Sequence, residues 1–306
     1  MENLSVSIVV IAYNSSQTVL ETLDSIKKQT FKNIELIVTD DASKDKTVEI
    51  CKKWLEDNNN RFVHTELITT ENNTGISANC NRGIKATTGE WIKIIAADDI
   101  LLPTCIEDNV SHVVDHKHIN IQFSRVRPIG NVIIGKQWPF LNPKPYFDGL
   151  TPMQFRILLC EKNFLPASSA FMRKSVWERL GGYEESIPLL EDWPMWMKAI
   201  NNGYQFDFLN KETVGYRFSG SSISQGVQNK RYHESEEKTV ELGLSFLMRI
   251  SHGSAFFCMT MKNRHKNLVD KLLYSLNVFN PFYWQYRQAW NSFDRVREGI
   301  ISETLD

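Results

Sequence analysis

The stretch IIAADDILLP (94–103) carries an apolar run straight into two adjacent carboxylates, Asp98 and Asp99, before turning apolar again. Adjacent acids are frequent in this chain: seven Asp/Glu doublets occur among 306 residues, against about four expected from composition alone. Most of them are therefore solvated surface, and only position can mark one for chemistry. A carboxylate pair delivered by a buried strand can hold Mg2+ or Mn2+, which takes one or two carboxylates and fills its other positions with substrate phosphates and water. A phosphate alone would be repelled there, so a nucleoside diphosphate with its metal is the guest such a pair implies.

The elements around the pair put it in such a place. VSIVVIA (6–12), IELIVT (34–39) and WIKIIA (91–96) are short apolar runs rich in β-branched residues, the pattern of strands buried on both faces. A weaker strand is expected near 63–69. Between them lie amphipathic helical segments: SSQTVLETLDSIKKQ with Ser15 or Ser16 as its cap, SKDKTVEICKKWLED with Val48, Cys51 and Leu55 in line, and GISANCNRGIKATTG closed by Gly89. Strand–helix alternation without hairpin signals predicts an α/β fold: a Rossmann-like parallel-core sheet with helices on both faces. Ligands of such sheets bind beyond the carboxyl ends of the strands. Tyr13 and Asn14, Asp40 and Asp41, and Asp98 and Asp99 follow three of those ends, so Asp99 is expected at a solvent-facing rim.

Beyond residue 100, Pro103 fits the first turn of a helix to about 117. A Pro/Gly/aromatic-rich loop (127–149) is long enough for a lid, and Glu191 and Asp192 precede an apolar helical run. From about 227 the chain reads as helical, with Lys262, Arg264, His265 and Lys266 followed by the aromatic FNPFYWQYRQAW. The chain divides by its pattern into 1–100, 101–225 and a C-terminal helical region, 226–306.

Several classes fall away. A net charge of −1 gives no bulk attraction to nucleic acid or anionic membranes. The five cysteines show no CxxC spacing, which suits a reducing cytoplasm. His112, His116 and His118 read as a solvated helix end. No basic n-region precedes the first apolar run and no stretch has the length of a membrane span, so a cytoplasmic protein, peripheral to a membrane at most, is expected. Neither G-x-G-x-x-G nor GxxxxGK[ST] occurs, which removes dinucleotide and P-loop readings.

SIVVIAYNSSQTVLETLDSIKKQTFKNIELIVTDDASKDKT and NNTGISANCNRGIKATTGEWIKIIAADD resemble the nucleotide-sugar-binding half of glycosyltransferase family 2, inverting enzymes of the GT-A fold. LGGYEESIPLLEDWPMWMKA resembles that family's acceptor-side segment. The resemblance implies that Ala12, Tyr13 and Asn14 line the nucleotide pocket and that Asp40 contacts the base. Asp98 then faces the ribose or metal, Asp99 holds the metal, and Glu191-Asp192 contains the general base, Asp192 being preferred. It implies a nucleotide-sugar donor, a UDP-sugar first, Mn2+ or Mg2+ as cofactor, and a saccharide or lipid-linked acceptor. Three positions depart from its pattern: Ala12 where proline is frequent, Ala96 where aspartate is, and Cys80 where arginine is.

Structural roles compete at each position. Asp98-Asp99 could simply end a strand, Asp40 could form a turn, and Glu191-Asp192 could be an acidic first helical turn. Arg217 could meet the diphosphate or form a structural ion pair. The tail could dock at a bilayer, or pack on the catalytic domain or a second copy; Asp270, Asp294 and Glu298 interrupt its positive charge and favour packing. A non-catalytic nucleotide-binding scaffold and a nucleotidyltransferase are the competing functions.

Overall fold

β1 (Val6–Ala12) is the centre of the parallel core in a computed structural model of the protein. The structure describes residues 4–130 and 141–218 apart from 162 and 188, together with 234–236, 238, 239 and 242. β1 pairs in parallel with β2 (Ile34–Asp40) on one side and β4 (Trp91–Ala96) on the other, and β2 carries β3 (His64–Thr69). The β1–β2 register runs unbroken from Val6 opposite Ile34 to Ala12 opposite Asp40. β1 and β2 are covered on both faces, which is why they read as continuous apolar runs. β3 is an edge strand with exposed and half-buried residues, hence its weak signal.

Alternate strand residues feed two cores. Val9, Ile37 and Ile92 face one, to which α3 (Ile76–Ala86) contributes Cys80 and Ile84. Ile8, Val10, Leu36, Val38 and Ile95 face the other, against α1 (Val19–Lys27), α2 (Thr47–Asn58) and α4 (Cys105–Asp115). Helices thus cover both faces, as expected. α3 lies very close to the sheet: a Cβ on Gly83 would stand 2.4 Å from Val9 Cγ1 and 2.8 Å from Thr39 Cγ2.

The second part of the chain extends the same sheet differently. β5 (Ile100–Leu101) follows the Asp98-Asp99 turn. β6 (Ile121–Gly130), α5 (Lys144–Gly149), α6 (Pro152–Glu161), β7 (Phe171–Arg173), α7 (Lys174–Arg179), α8 (Asp192–Asn201) and β8 (Phe206–Phe218) come after α4. The sheet order is β3-β2-β1-β4-β7-β6-β8-β5. β7 runs antiparallel to both β4 and β6, while β8 lies parallel to β6. Aromatic rings fill the core beside it, Phe123 meeting Trp196 edge-on at 4.9 Å and Phe206 at 5.4 Å.

Several local expectations need correction. Neither Ser15 nor Ser16 caps α1 with its side chain; Thr18 holds the cap position, and its hydroxyl instead donates to the Ala97 carbonyl at 2.8 Å. Val48 is only half-buried, and Trp54 takes the inner face of α2 with Cys51 and Leu55. Gly89 does not close α3, which ends at Ala86 with Thr87 extended. Its lack of a side chain serves β1: a Cβ there would lie 2.5 Å from Ser7 Oγ. Pro103 precedes α4, whose cap is Thr104. The expected 127–149 loop begins as the end of β6 and closes with α5, while 131–140 lie outside the described residues. His112 is tied to Asp207 at 2.9 Å. The basic and aromatic tail from 243 onward also lies outside the described residues.

Candidate active site

β1, β2 and β4 end side by side, Ala12 opposite Asp40 and Ile11 opposite Ala96. The strand order reverses between β1 and β4, the kind of switch point where open α/β sheets form a ligand crevice. Ala12 is buried at the strand end, and Tyr13 stands exposed just beyond it. Asn14 adopts a positive φ of 50°. Its backbone N–H donates to Ser43 Oγ at 2.7 Å, and its side-chain oxygen accepts the Lys44 N–H at 2.8 Å. The loops after β1 and β2 are thereby locked together.

Asp40 is fully buried, and both its oxygens are used locally, accepting the Ser43 N–H at 2.9 Å and the Ser43 hydroxyl. Within this geometry it is a turn former. Its neighbour Asp41 reaches further. It accepts the N–H groups of Thr74 at 2.9 Å and Gly75 at 2.8 Å, and a 3.0 Å ion pair from Arg82. Burial pushes the Asp41 carboxyl up, and those hydrogen bonds outweigh it, leaving it below the ordinary carboxylate value. Asp41 thus anchors the start of α3 to the end of β2.

Asp98 and Asp99 form the turn after β4, closed by the Asp99 N–H on the Ala96 carbonyl at 3.1 Å. The expectation of a solvent-facing Asp99 is corrected: it is only 3% exposed. The reason is that β8 and α1 close over the turn. Arg217 donates its backbone N–H to Asp99 Oδ1 at 2.7 Å and its Nε to the Asp98 carbonyl at 2.6 Å, while Thr22 Oγ1 donates to the Asp99 carbonyl at 2.7 Å. The Arg217 guanidinium also pairs with Glu21, so the structural ion pair expected as one alternative is present beside the carboxylates. Burial first, and then the charge of Asp98, push the Asp99 carboxyl up to about 8; burial raises Asp98 as well. Lys93, six residues earlier in β4, is fully buried with its Nζ 3.3 Å from the Ala170 carbonyl. Burial lowers its pKa, opposed by Cys105 and Asp99.

The adjacent Asp98 and Asp99 carboxyls offer hard oxygen donors of the kind a divalent ion takes together with substrate phosphates. Among the described residues no group of three His, Cys, Asp or Glu side chains forms an all-protein metal site. A cation held by this pair would leave its remaining positions to substrate phosphates and water.

A second acidic pair stands at the start of α8, with Glu191 at the cap position and Asp192 in the first turn. The acidic-first-turn placement is thus observed. Asp192 Oδ1 accepts the Trp193 N–H at 2.6 Å, and Oδ2 accepts Asn163 Nδ2 at 2.7 Å. Burial raises both carboxyls, and the Asp192 charge raises Glu191 further. Cys80 and Tyr183 adjoin the pair: burial first, then the charges of Glu191 and Asp192, push the thiol and the phenol up. α3 therefore links the two regions. Its N-terminus is fixed by Asp41, Cys80 faces the Glu191-Asp192 pair, and Asn81 exchanges hydrogen bonds with the Tyr183 backbone at 2.8 and 3.0 Å.

Sequence reasoning placed Asp41 at the rim without a role of its own and passed over Lys93 and Asn163. Asp41 carried the same positional signal as Asp40, and a lysine inside WIKIIA was itself a sign of a buried polar cluster. Asn163 carried none, since its partner is 29 residues away.

Residues 7–181 match the model of the family described as glycosyl transferase family 2. An uncharacterized glycosyltransferase of Methanocaldococcus jannaschii is 28% identical over 225 residues, spanning 71% of this chain and 72% of its own. The Escherichia coli UDP-Glc:alpha-D-GlcNAc-diphosphoundecaprenol beta-1,3-glucosyltransferase WfaP is 26% identical over 223 residues, spanning 72% and 79%. Among solved structures, S. aureus TarS 1–349 in complex with UDP-GlcNAc superposes with a TM-score of 0.62 at 18% identity, covering 96% of this chain and 81% of that one. The Pyrobaculum calidifontis mannosyltransferase PcManGT, in complex with GDP-Man and Mn2+, gives 0.52 at 15% identity, covering 94% and 84%. The fold is thus the expected GT-A fold, and with more than half of its length matched by the family model the chain belongs to glycosyl transferase family 2.

Proposed function

We propose that this glycosyltransferase is inverting and moves a sugar from a nucleoside-diphosphate sugar, a UDP-sugar first, to a hydroxyl of a saccharide or lipid-linked saccharide in surface polysaccharide synthesis. The observation that carries the reading is the presence of two acidic pairs, one in the turn after β4 and one at the start of α8. One, Asp98-Asp99, is suited to a cation and diphosphate; the other, Glu191-Asp192, contains a carboxylate held by two donors. WfaP, by its name, takes its sugar from UDP-Glc and gives it to a diphosphoundecaprenol-linked sugar, which supports both the donor and the acceptor class. Residues 1–100 would serve the donor, 101–225 the acceptor and the chemistry, and 226–306 would form a helical region that packs or docks.

In this reading Ala12, Tyr13 and Asn14 line the nucleotide pocket, with Asp40 on the base side. Asp99 and Asp98 would hold Mn2+ or Mg2+, which when bound offsets the charge on the departing diphosphate. Arg217 keeps the carboxylate turn in place. Asp192 accepts the proton of the acceptor hydroxyl as that oxygen bonds to the anomeric carbon. The bond from that carbon to the diphosphate oxygen breaks on the opposite face, its electron pair leaving with the nucleoside diphosphate. One displacement with one base inverts the centre; a glycosidase instead flanks the bond with two carboxylates and uses no diphosphate cradle. A lipid-linked acceptor would place the protein at the cytoplasmic face of a membrane. Among the described residues no helix is long and apolar enough to cross one.

The test is incubation of the full chain with a panel of UDP-sugars, Mn2+ and a lipid-linked saccharide, following UDP, sugar 1-phosphate and the anomer formed. UDP release with an inverted product is expected. Release of sugar 1-phosphate would mean nucleotidyl transfer, and a retained anomer would remove the single-displacement mechanism.

A further inference from the structure

The two acids of the Glu191-Asp192 pair are treated unequally by the fold. Asp192 has a donor on each oxygen, the Trp193 N–H at 2.6 Å and Asn163 Nδ2 at 2.7 Å. Among the described residues no side chain donates to Glu191, whose neighbour is the Asp192 charge itself. The amide of Asn163 is not free to turn over. Its Oδ1 accepts the Leu165 N–H at 3.1 Å, so the Nδ2 side is the one that faces Asp192. Asn163 follows α6, and α6 is fastened to α8 through Trp193 Nε1, which donates to the Leu159 carbonyl at 2.6 Å. The donor and the carboxylate are thus mounted on two helices joined beside the contact.

We propose that Asn163 is a positioning residue for the transfer reaction: its amide fixes the Asp192 carboxylate and makes Asp192, rather than Glu191, the ionised member of the pair. The physical argument is that a hydrogen bond to a charged group is stronger than one to its neutral form, so one negative charge shared by two adjacent acids settles where the donors are. The proton then rests on Glu191, where burial and the neighbouring charge already favour it. The other titratable groups facing the pair, Cys80 from α3 and Tyr183 from the segment after α7, are both held neutral by the same burial and offer no counter-charge. Asn163 is therefore the side chain that tells the two acids apart. With one oxygen tied to Asn163 and the other to the α8 backbone, the carboxylate plane is set before the acceptor hydroxyl arrives.

This inference rests on Asp192 being the base, and its test keeps the two apart. Asn163→Ala, Asn163→Asp and Asp192→Asn are made in the full chain and assayed with the UDP-sugar that gives UDP release. Asn163→Ala should lower kcat on the order of tenfold, leave donor KM within about twofold, and move the acidic limb of the kcat profile to higher pH. Asn163→Asp preserves shape and the Leu165 contact but replaces the donor with an acceptor, so it should fall further; a merely structural role predicts the reverse order. Carbon-13 titration of labelled carboxyls supplies a readout without turnover: in Asn163→Ala the Asp192 midpoint should rise and that of Glu191 fall. If Asp192→Asn is inactive but both Asn163 variants keep the parental kcat and pH limb, the inference is overturned while the base assignment stands. If Asp192→Asn stays active, the base assignment has failed, and unmoved carboxyl midpoints in Asn163→Ala would then overturn the inference as well.

Discussion

The parallel strands β1 to β4 and the later strands β6 and β8 belong to one sheet but are stabilised by different means. Among β1, β2 and β4 the ladders are parallel and unbroken, and most of the buried side chains are aliphatic. Around β6 and β8 the ladder slips twice near Arg125, and the space is filled by rings: Phe123, Phe147, Phe155, Phe164, Trp196, Phe206 and Phe208. Buried polar atoms without a partner occur in both parts among the described residues, Trp91 Nε1 on β4 as well as Trp177 Nε1 and Trp196 Nε1. The backbone ladder fixes strand ends to within a residue, which suits a site that must place two loops against a nucleotide. Ring packing leaves the wall beside β6 and β8 without a regular ladder to fix it. The carboxylates at both places mix backbone and side-chain donors: Asp41 takes the Thr74 and Gly75 N–H groups and Arg82, and Asp192 takes the Trp193 N–H and Asn163 Nδ2.

The sharpest way to break this contrast is at the chemistry. Asp192→Asn should cut turnover on the order of 10²- to 10⁴-fold while leaving donor affinity unchanged, because the lost group acts only on the acceptor's proton. Calorimetry with UDP and Mn2+ alongside turnover separates the two effects. Near-parental kcat in Asp192→Asn, with loss in Glu191→Gln, would transfer the role to Glu191.

Next is packing. Phe123→Ala, at the junction of Trp196 and Phe206, should cost about 3–5 kcal/mol, whereas Ile37→Val in the parallel core should cost about 0.5–1.5. If the division of labour holds, the surviving Phe123→Ala protein loses acceptor affinity more than donor affinity. Equal losses at both sites would mean the two parts of the sheet are not separable in function.

These two parts also differ in how much the sequence discloses. A strand buried on both faces, such as VSIVVIA, announces itself because nothing else tolerates so many β-branched residues in a row. β8 contains Asn210, Lys211 and Glu212 at its middle, where the register with β6 slips, and a slip destroys the period-two pattern that a reader looks for. The site follows the same rule. Asp98 and Asp99 were legible because a strand points at them, and the acidic start of α8 because it precedes a helical run. That Asp99 is buried was not, since its cover comes from Arg217, 118 residues away. Asn163 reaches Asp192 through a fold, not a spacing.

The third effect is a pH dependence. The Asp99 carboxyl, raised by burial from an ordinary value near 3.8 to about 8, keeps a proton in the folded protein that the unfolded chain releases. Its neutral form therefore favours folding most below pH 4, and the benefit drains away as pH rises toward 8. Metal-free protein should melt lower at pH 8.5 than at pH 5, and Asp99→Asn should flatten part of that fall. Metal binding must expel the same proton, so Mn2+ affinity should increase with pH up to about 8 in the parent and become weak in Asp99→Asn. Unchanged UDP affinity with Mn2+ in Asp99→Asn would remove the residue from the metal site.

The smallest effect tests the clamp between the two regions. Arg217 from β8 pairs with Glu21 of α1, whose side chain is 58% exposed, so the pair itself should be worth less than about 1 kcal/mol. Glu21→Gln should accordingly leave the melting temperature almost unmoved. What it frees is a guanidinium beside Asp98 and Asp99, and donor affinity then reads its role. If Arg217 also meets the diphosphate, Glu21→Gln should strengthen UDP binding a few-fold, and Arg217→Met should weaken it in both the parent and the Glu21→Gln background. If it serves only to hold the turn, Glu21→Gln leaves UDP affinity alone. Arg217→Met then lowers stability rather than affinity, because its Nε bond to the Asp98 carbonyl is lost while the backbone N–H to Asp99 remains. The combination of weaker UDP binding and unchanged stability in Arg217→Met would make this residue part of the donor site rather than its frame.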